Sequence, residues 1–339
     1  MSSAPRPSHT PSIQDVARLA GVSAQTVSRV ARHAPNVKTD TRTRVLVAME
    51  QLGYVPNRAA RALRSGTFRT IGVITQNLGR TGENLVMAGI AAQAEERGYS
   101  VNIQQVSHPE TEALTTASVR LSHQAIDGLI IVQAGSATRG SLSVPRTLPT
   151  VVSDSRLIDD FPSATAEQAQ GTHMLIEHLL KLGHRRIAHI AGPSDSRSAH
   201  TRERIWRTSL EEARVWPAPL VHGDWSAQSG YLAARELAAS AEFTAIFAAN
   251  DEMAFGAMRA LHESSLRVPL DVSIAGFDGI ALSDFAVPPL TTVRQNFDAV
   301  GRALVDLLLE TITASSPSLE RRVIPSELLI RDSTGPAPR

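Results

Sequence analysis

Apolar residues recur along this chain with two different periods, and the change from one to the other divides it. Over residues 12–54 they fall three and four apart: Val16 and Leu19, then Val27 and Val30, then Val45, Ala48, Met49 and Leu52. That is the spacing of helices that each bury one face. Three short helices are predicted, the third from about residue 41 to 52 with Gly53 as its stop. Between the first two, Ala20-Gly21 lets the backbones approach and turn, and Gly21 is free to adopt positive φ. Ser23 suits the N-cap of the second helix, because its hydroxyl accepts amide protons left over at a helix start. From Thr70 onward the apolar residues come in short unbroken runs: 71–74, 101–103, 128–132 and 150–152, then 187–190, 244–248 and 272–276. Stretches of helical periodicity separate them, near 84–97, 112–123, 166–182, 201–213 and 253–264. Such alternation predicts parallel sheets covered on both faces, and two successive sets predict two lobes with a cleft between them.

The first segment has the layout of a duplex reader. A helix-turn-helix places its second helix in the major groove, with residues near the N-terminal end at the base edges. Here those positions are Ala24, Gln25, Ser28 and Arg29. Gln pairs bidentately with adenine and Arg with guanine, while Ser23 and Thr26 suit phosphate oxygens. An αα-hairpin with a solvated polar face is the bland alternative, and charge decides between them. Residues 1–70 hold eleven Arg or Lys against three Asp or Glu, a net of +8; the other 23 basic and 30 acidic residues leave the rest at −7. The whole-chain +1 thus hides a basic head on an acidic body, the electrostatic footprint of a nucleic-acid module. Aromatic interleaving of the kind that binds single strands is missing, since Tyr54 and Phe68 are the head's only aromatics. Duplex DNA is favoured over RNA.

After Pro56, Asn57 can cap a short segment in which Arg58, Arg61 and Arg64 recur every three residues beside Leu63. Nothing there can bury a core, so disorder until DNA docking is expected. An apolar side chain pushed between base steps from the minor groove kinks the duplex. An ordinary charged linker is the other reading.

Composition narrows the rest. A chain of 339 residues with 42% hydrophobic content holds more than one domain and a sizeable core. The absence of cysteine excludes disulfides and thiolate metal sites and fits a reducing cytoplasm. Residues 1–11 are polar and Pro-rich without an apolar stretch, which reads as a disordered arm and not a signal peptide. No apolar run is long enough to span a membrane. There is no G-x-G-x-x-G, P-loop or G-x-S-x-G, and His173, Glu177 and His178 miss the H-E-x-x-H and H-x-x-E-H spacings. No enzyme, metal site or cofactor is expected. In open α/β sheets ligands bind beyond the carboxyl ends of strands, and those positions are polar: Asp154, Asn250-Asp251 and Asp278, with Arg202 after Gly192-Pro193. Asp154 and Asp278 with Asn250 and Arg202 supply paired donors and acceptors for vicinal hydroxyls, and Trp225 offers a face for an apolar sugar surface. Each residue alone also reads as a cap or loop residue.

The motifs Asp15-Val16-Ala17, Ala20-Gly21-Val22-Ser23, Thr26-Val27-Ser28-Arg29-Val30, Thr41-Arg42 and Gly53-Tyr54-Val55-Pro56-Asn57 resemble the head of the LacI/GalR family of bacterial transcription factors. His178–Ile187, Asn250-Asp251-Glu252-Met253-Ala254, Val268–Ser273 and Pro288–Gln295 extend the resemblance to about Thr334, and Gly223-Asp224-Trp225-Ser226 points to the lactose-repressor subgroup. It implies an α/β fold: a small all-α helix-turn-helix head and a two-lobed core of parallel sheets like a type I periplasmic binding protein. The implied boundaries are an arm at 1–11, the head at 12–56, a hinge at 57–69, the core at 70–334 and a tail at 335–339. Within the core, one lobe takes about 70–166 and 295–322, the other about 167–294 and 323–334.

By the resemblance, Leu63 intercalates at the operator centre and Ala24, Gln25 and Arg29 set operator preference; Ser12, Ser23, Thr26, Ser28, Thr41, Tyr54, Asn57 and Arg61 complete the DNA-binding set. Asp154, Arg202, Asn250, Asp278 and Gln295 match polar sugar contacts, Trp225 and Phe297 match aromatic walls, and Gln76 and Arg80 stand at the pocket mouth. The implied protein is a cytoplasmic, nucleoid-associated homodimer that binds double-stranded operator DNA and is released by a galactoside or related glycoside. A purine corepressor, or a sugar-responsive activator, is the alternative. The chain departs from the family at Ala31-Arg32, over residues 76–83 where Arg80 is unusual, and at Gly279. It also stops soon after Thr334 without leucine heptads, which is why a dimer is expected in place of a tetramer.

Overall fold

The computed structural model describes residues 11–31, 34–55, 66–106, 111–122, 124–132, 144–145, 147–216, 218–240, 242–314, 316 and 318–338. The chain splits into two compact units, Met1–Phe68 and Arg69–Arg339. The expected hinge residues Asn57, Arg58, Arg61, Leu63 and Arg64 lie outside the described residues, as does the arm before Pro11.

The first unit holds α1 (Ile13–Ala20), α2 (Ala24–Val30) and α3 (Thr39–Leu52). Ser12 opens α1 with a capping box: its hydroxyl accepts from the Asp15 N–H while the Asp15 carboxylate accepts from the Ser12 N–H at 3.0 Å. Gly21, at φ 65°, ends α1 in the left-handed conformation, and Ser23 caps α2 by accepting from the Thr26 N–H at 3.2 Å. Val16, Ala17, Ala20, Val27, Val30, Val45, Ala48 and Met49 form one buried cluster. Leu19, expected on the buried face of α1, is instead 52% exposed. The inward stripe runs through Ile13, Val16, Ala17 and Ala20 at spacings of three, one and three, and Leu19 lies off it.

The second unit is two six-stranded sheets flanked by helices. In chain order the elements are β1 (Thr70–Thr75), α4 (Thr81–Glu96), β2 (Ser100–Gln105), α5 (Thr111–Ser122), β3 (Gly128–Ile131), β4 (Thr150–Val152), β5 (Ser163–Ala166), α6 (Gln168–Lys181), β6 (Ile187–Ala191), α7 (Arg197–Glu212), β7 (Leu220–His222), α8 (Ala227–Ser240), β8 (Ala245–Ala248), α9 (Asp251–Glu263), β9 (Ser273–Asp278), β10 (Thr291–Arg294), α10 (Phe297–Thr313), β11 (Arg321–Ile324) and β12 (Glu327–Leu329). One sheet runs β11-β5-β4-β3-β1-β2 and the other β12-β10-β9-β8-β6-β7. Among the described residues, every pairing is parallel except β10 with β12. Strands β3, β6, β8 and β9 are buried along their whole length, as the unbroken apolar runs require.

The chain passes between the sheets three times, after β5, after β10 and between β11 and β12. These passages define an N-lobe around the first sheet and a C-lobe around the second. Each lobe joins a helix pair at a glycine. A Cβ on Gly256 of α9 would collide with the Ala227 carbonyl of α8, and one on Gly301 of α10 with the Val86 carbonyl of α4. The last residues are cladding for the C-lobe. Ile274 donates to the Ser333 carbonyl at 2.8 Å, Gly335 N–H to Ser273 Oγ at 3.0 Å, and Ala337 N–H to the Leu182 carbonyl at 2.9 Å. Buried His184 closes this seam: Nε2 meets the Gly335 carbonyl at 3.0 Å, so it carries the proton, and Nδ1 accepts from Thr244 Oγ1 at 2.9 Å.

Candidate functional site

Loops at the carboxyl ends of strands from both sheets enclose a cavity of about 520 Å³. The N-lobe contributes Asn77 and residues 79–83 after β1, Val132 after β3, and Ser153 and Asp154 after β4. The C-lobe contributes Ser198 and Arg202 from α7, Asp224, Trp225 and Ser226 after β7, Asn250 and Glu252 after β8, and Asp278 at the end of β9. Gln168, Gln295 and Phe297 enter from the passages between lobes. This is the carboxyl-end position where open α/β sheets bind ligands.

Arg202 and Asp278 sit at the centre of a hydrogen-bonded ring. Arg202, 3% exposed, donates from Nε to Gln168 Oε1 at 2.9 Å, from Nη1 to the Ala249 carbonyl, and from Nη2 to Asp278 Oδ1 at 3.4 Å. Gln168 Nε2 donates to Gln295 Oε1 at 2.7 Å, and Gln295 Nε2 donates to Asp278 Oδ1 at 2.5 Å. The guanidinium lies 3.9 Å from the Phe277 ring centroid and 5.5 Å from that of Trp225. Burial pushes the Asp278 carboxyl up to about 7, against the downward pull of Arg202; nearby Asp251 and Glu252 add to the rise. Burial also lowers the Arg202 pKa, opposed by the Asp278, Asp154 and Asp251 carboxyls.

The other predicted cavity residues differ in what holds them. Asn250 is both a cap and a wall: Oδ1 accepts from the Met253 N–H at 2.9 Å, and Nδ2 donates to the Trp225 carbonyl at 3.0 Å and to Glu252 Oε2 at 2.8 Å. Asp154 and Trp225 line the cavity with positive φ, 38° and 76°, and Asp278 has φ 115°. Each such non-glycine conformation costs on the order of 1–3 kcal/mol, and strain of this kind concentrates at ligand sites. Asp251, beside Asn250, does not line the cavity; it is wholly buried and accepts from Ile280 N–H, Ser283 Oγ and Thr292 Oγ1. Burial raises its pKa to about 6.

On the N-lobe wall, Glu83 Oε2 accepts from Thr75 Oγ1 at 2.7 Å, Gln76 N–H at 3.0 Å and Asn77 N–H at 2.8 Å. Its Oε1 lies 3.5 Å from the Arg80 guanidinium. Arg80 therefore lines the cavity beside a fixed carboxylate. Gln76, expected at the mouth, is buried and is not part of the lining; its backbone helps to hold Glu83. Thr81 Oγ1 donates to Glu252 Oε1, a side-chain bond from the N-lobe to the C-lobe. Among the described residues, the lining carries five carboxyls (Glu83, Asp154, Asp224, Glu252, Asp278) and two guanidiniums, Arg80 and Arg202.

Gln168, Glu83, Glu252 and Asp224 were not among the residues singled out from sequence. Asp224 and Glu252 lie inside motifs already quoted, one residue from Trp225 and two from Asn250, and could have been found there. Glu83 and Gln168 gave no local signal, because their partners lie in other elements.

The head presents a separate set. Ser23, Gln25 and Arg29 are exposed on α2, and Ala24, Thr26 and Ser28 are half-buried there. Thr41 and Tyr54 are half-buried on and just after α3, while Ser12 is engaged in its capping box. The exposed side of α2 thus carries an amide and a guanidinium for base edges or phosphates. Elsewhere, His173 pairs with Ser209 Oγ at 3.2 Å and His178 with Thr334 Oγ1 at 2.9 Å, and no group of three or more metal-binding side chains occurs among the described residues. No helix among them is long and apolar enough to cross a membrane.

Comparison with known proteins gives matches over both units. Residues 12–57 match bacterial regulatory proteins of the lacI family, and residues 176–334 match a periplasmic binding protein-like domain. The lactose operon repressor of Escherichia coli (strain K12) is 37% identical over 328 residues, covering 95% of this chain and 90% of that protein. An HTH-type transcriptional repressor PurR of Haemophilus influenzae (strain PittEE) is 35% identical over 340 residues, covering 95% and 98%. A crystal structure of a Lac repressor dimer bound to operator and an anti-inducer aligns with TM-score 0.85 at 36% identity, covering 96% of this chain and all of that one.

Proposed function

Because the chain belongs to the lacI family of bacterial regulatory proteins, we propose that it is a repressor released from its operator by a galactoside or related glycoside held in the cavity between the lobes. Its relatives are DNA-binding transcriptional repressors and not enzymes, and that class holds for this chain. The glycoside reading rests on one arrangement above the others: buried Arg202 and Asp278 facing the same cavity as Trp225. A guanidinium and a carboxylate supply donor and acceptor to neighbouring hydroxyls, and an indole covers the C–H face of a sugar ring. The surplus of carboxyls over guanidiniums in the lining disfavours a phosphorylated ligand.

On the DNA side, Ala24, Gln25, Ser28 and Arg29 face base edges, Ser23 and Thr26 contact phosphate oxygens, and Ser12 and Thr41 join the DNA-binding set. Tyr54, Asn57, Arg61 and Leu63 complete the contact set by position in the sequence. The working form is a homodimer on a pseudo-palindromic site in the cytoplasm, where the DNA is. Leu282, Phe285 and Val287, exposed by 65, 80 and 92%, give the C-lobe an apolar face for a second copy. Effector then weakens operator binding only as far as it prefers one lobe arrangement over the other.

Operator binding by fluorescence anisotropy, at one fixed salt concentration, tests this against galactosides, other glycosides and purines. Release by a glycoside is expected, with Arg202→Ala and Asp278→Ala each losing that response while still binding operator. Tighter operator binding in the presence of a purine would replace the inducer reading with a corepressor.

A further inference from the structure

The ring that holds Arg202 and Asp278 is also the tie between lobe passages, and this gives Gln168 a role that its position in the sequence does not announce. We infer that Gln168 is a positioning residue that transmits the state of the cavity floor to the passages on which the lobes turn. The inference rests on the glycoside reading for its ligand, but not for its geometry.

The direction of every bond in the ring follows from chemistry. Arginine only donates, so the Gln168 atom facing Arg202 Nε at 2.9 Å is the amide oxygen. The Gln168 nitrogen is then left to donate to Gln295 Oε1 at 2.7 Å, and the Gln295 nitrogen to Asp278 Oδ1 at 2.5 Å. The relay runs one way from cation to carboxylate, and each amide serves once as acceptor and once as donor. Such a chain cannot lose one member without leaving its neighbours unmatched.

Its placement matters as much as its polarity. Gln168 is the first residue of α6, directly after the passage that leaves β5, and Gln295 stands on the passage between β10 and α10. The third passage joins them, because Ser326 Oγ donates to the Glu167 carbonyl at 2.8 Å and Glu167 N–H donates to the Ile324 carbonyl at 2.8 Å. All three connections between the lobes are therefore linked within a few residues, and Gln168 supplies the side-chain bond between the first two. A ligand that takes up hydrogen bonds of Arg202 or Asp278 changes the two ends of the relay, and the middle of it sits where the lobes are joined.

The test separates two roles for Gln168. Gln168→Glu keeps an acceptor for Arg202 and loses the donor to Gln295; Gln168→Met, similar in size, loses both. Hydrogen exchange on the full ligand-free chain is expected to quicken about tenfold at residues 295–298 and 324–327 in both variants, the effect of one lost hydrogen bond. With lactose as probe, the ratio of operator affinities without and with sugar is expected to fall about tenfold in both, more than lactose affinity itself falls. If Gln168→Glu matches the unmodified protein in exchange, Gln168 only anchors Arg202 and the inference is wrong. If exchange quickens but the operator ratio holds, the link is structural and the inference is also wrong. Lactose leaving the unmodified protein on its operator would count against the galactoside reading alone, and exchange together with the operator ratio measured with whichever glycoside of the panel does release it would decide the role of Gln168.

Discussion

The two lobes share a plan and divide the chemistry unequally. Both have six strands in the same spatial sequence, both join a helix pair at a glycine, and both bury a carboxylate in the first turn of the helix after a core strand. In the N-lobe that group is Glu83, which gathers the loop after β1; in the C-lobe it is Asp251, which gathers Ile280, Ser283 and Thr292. Beyond this pair they diverge. The buried ionisable cluster of Arg202, Asp278 and His189 belongs to the C-lobe, while the N-lobe side of the cavity offers Val86, Val132, Val300 and Phe297 with a polar loop above them. The C-lobe side of the cavity thus holds a buried ion pair, while the N-lobe side carries Arg80, Glu83 and Asp154 on its loops beside the apolar residues.

The matched carboxylates offer the sharpest test of the shared plan. Asp251→Ala and Glu83→Ala each strip the acceptor from three donors and are expected to cost about 3–5 kcal/mol in urea unfolding. A large loss for one and none for the other would show that the likeness is only geometric. Next come the glycines. Gly256→Ala and Gly301→Ala should each destabilise by about 1–3 kcal/mol, because the new methyl meets helix backbone and no flexible side chain. Equal losses would mean that both lobes depend on the same close approach.

A further expected effect is on pH dependence, and it should belong to the C-lobe. Asp278, near 7 in the folded chain and about 3.9 when unfolded, binds its proton more tightly in the folded state. Its contribution is thus fully present below about pH 4 and is lost as pH rises toward 7. Asp278→Asn removes that slope, so the variant should gain stability relative to the unmodified protein between pH 4 and 7. His178, His184 and His189, all lowered by burial, contribute with the opposite sign and are common to both proteins. A constant difference across that range would remove Asp278 from the account.

The head was legible because its contacts are local: a cap at Ser23, a left-handed Gly21 and three apolar stripes lie within about forty residues, though the cap at Ser12 was not read. Even there, Leu19 misled, since three-residue spacing alone fits more than one stripe. Strands buried on both faces announced themselves as apolar runs. The short β5, β7, β10, β11 and β12 did not, being three or four residues of mixed character. The helices α8 and α10 were passed over as well. At the cavity, Asp154, Asn250 and Asp278 could be read because each follows a strand. Gln168 could not, because what it does is set by a partner 127 residues away.

The seam of Ser333, Gly335 and Ala337 against β9 and His184 has a practical consequence. The final dozen residues look like a dispensable Pro-rich trailer, yet they are a strap buckled across the base of the C-lobe. A reporter spliced in at Asp332, or a trim at that point, would unfasten the strap beneath the very strand that carries Asp278 at its far end. A label for single-molecule or pull-down work is better hung beyond Pro338, where the strap has already been fastened.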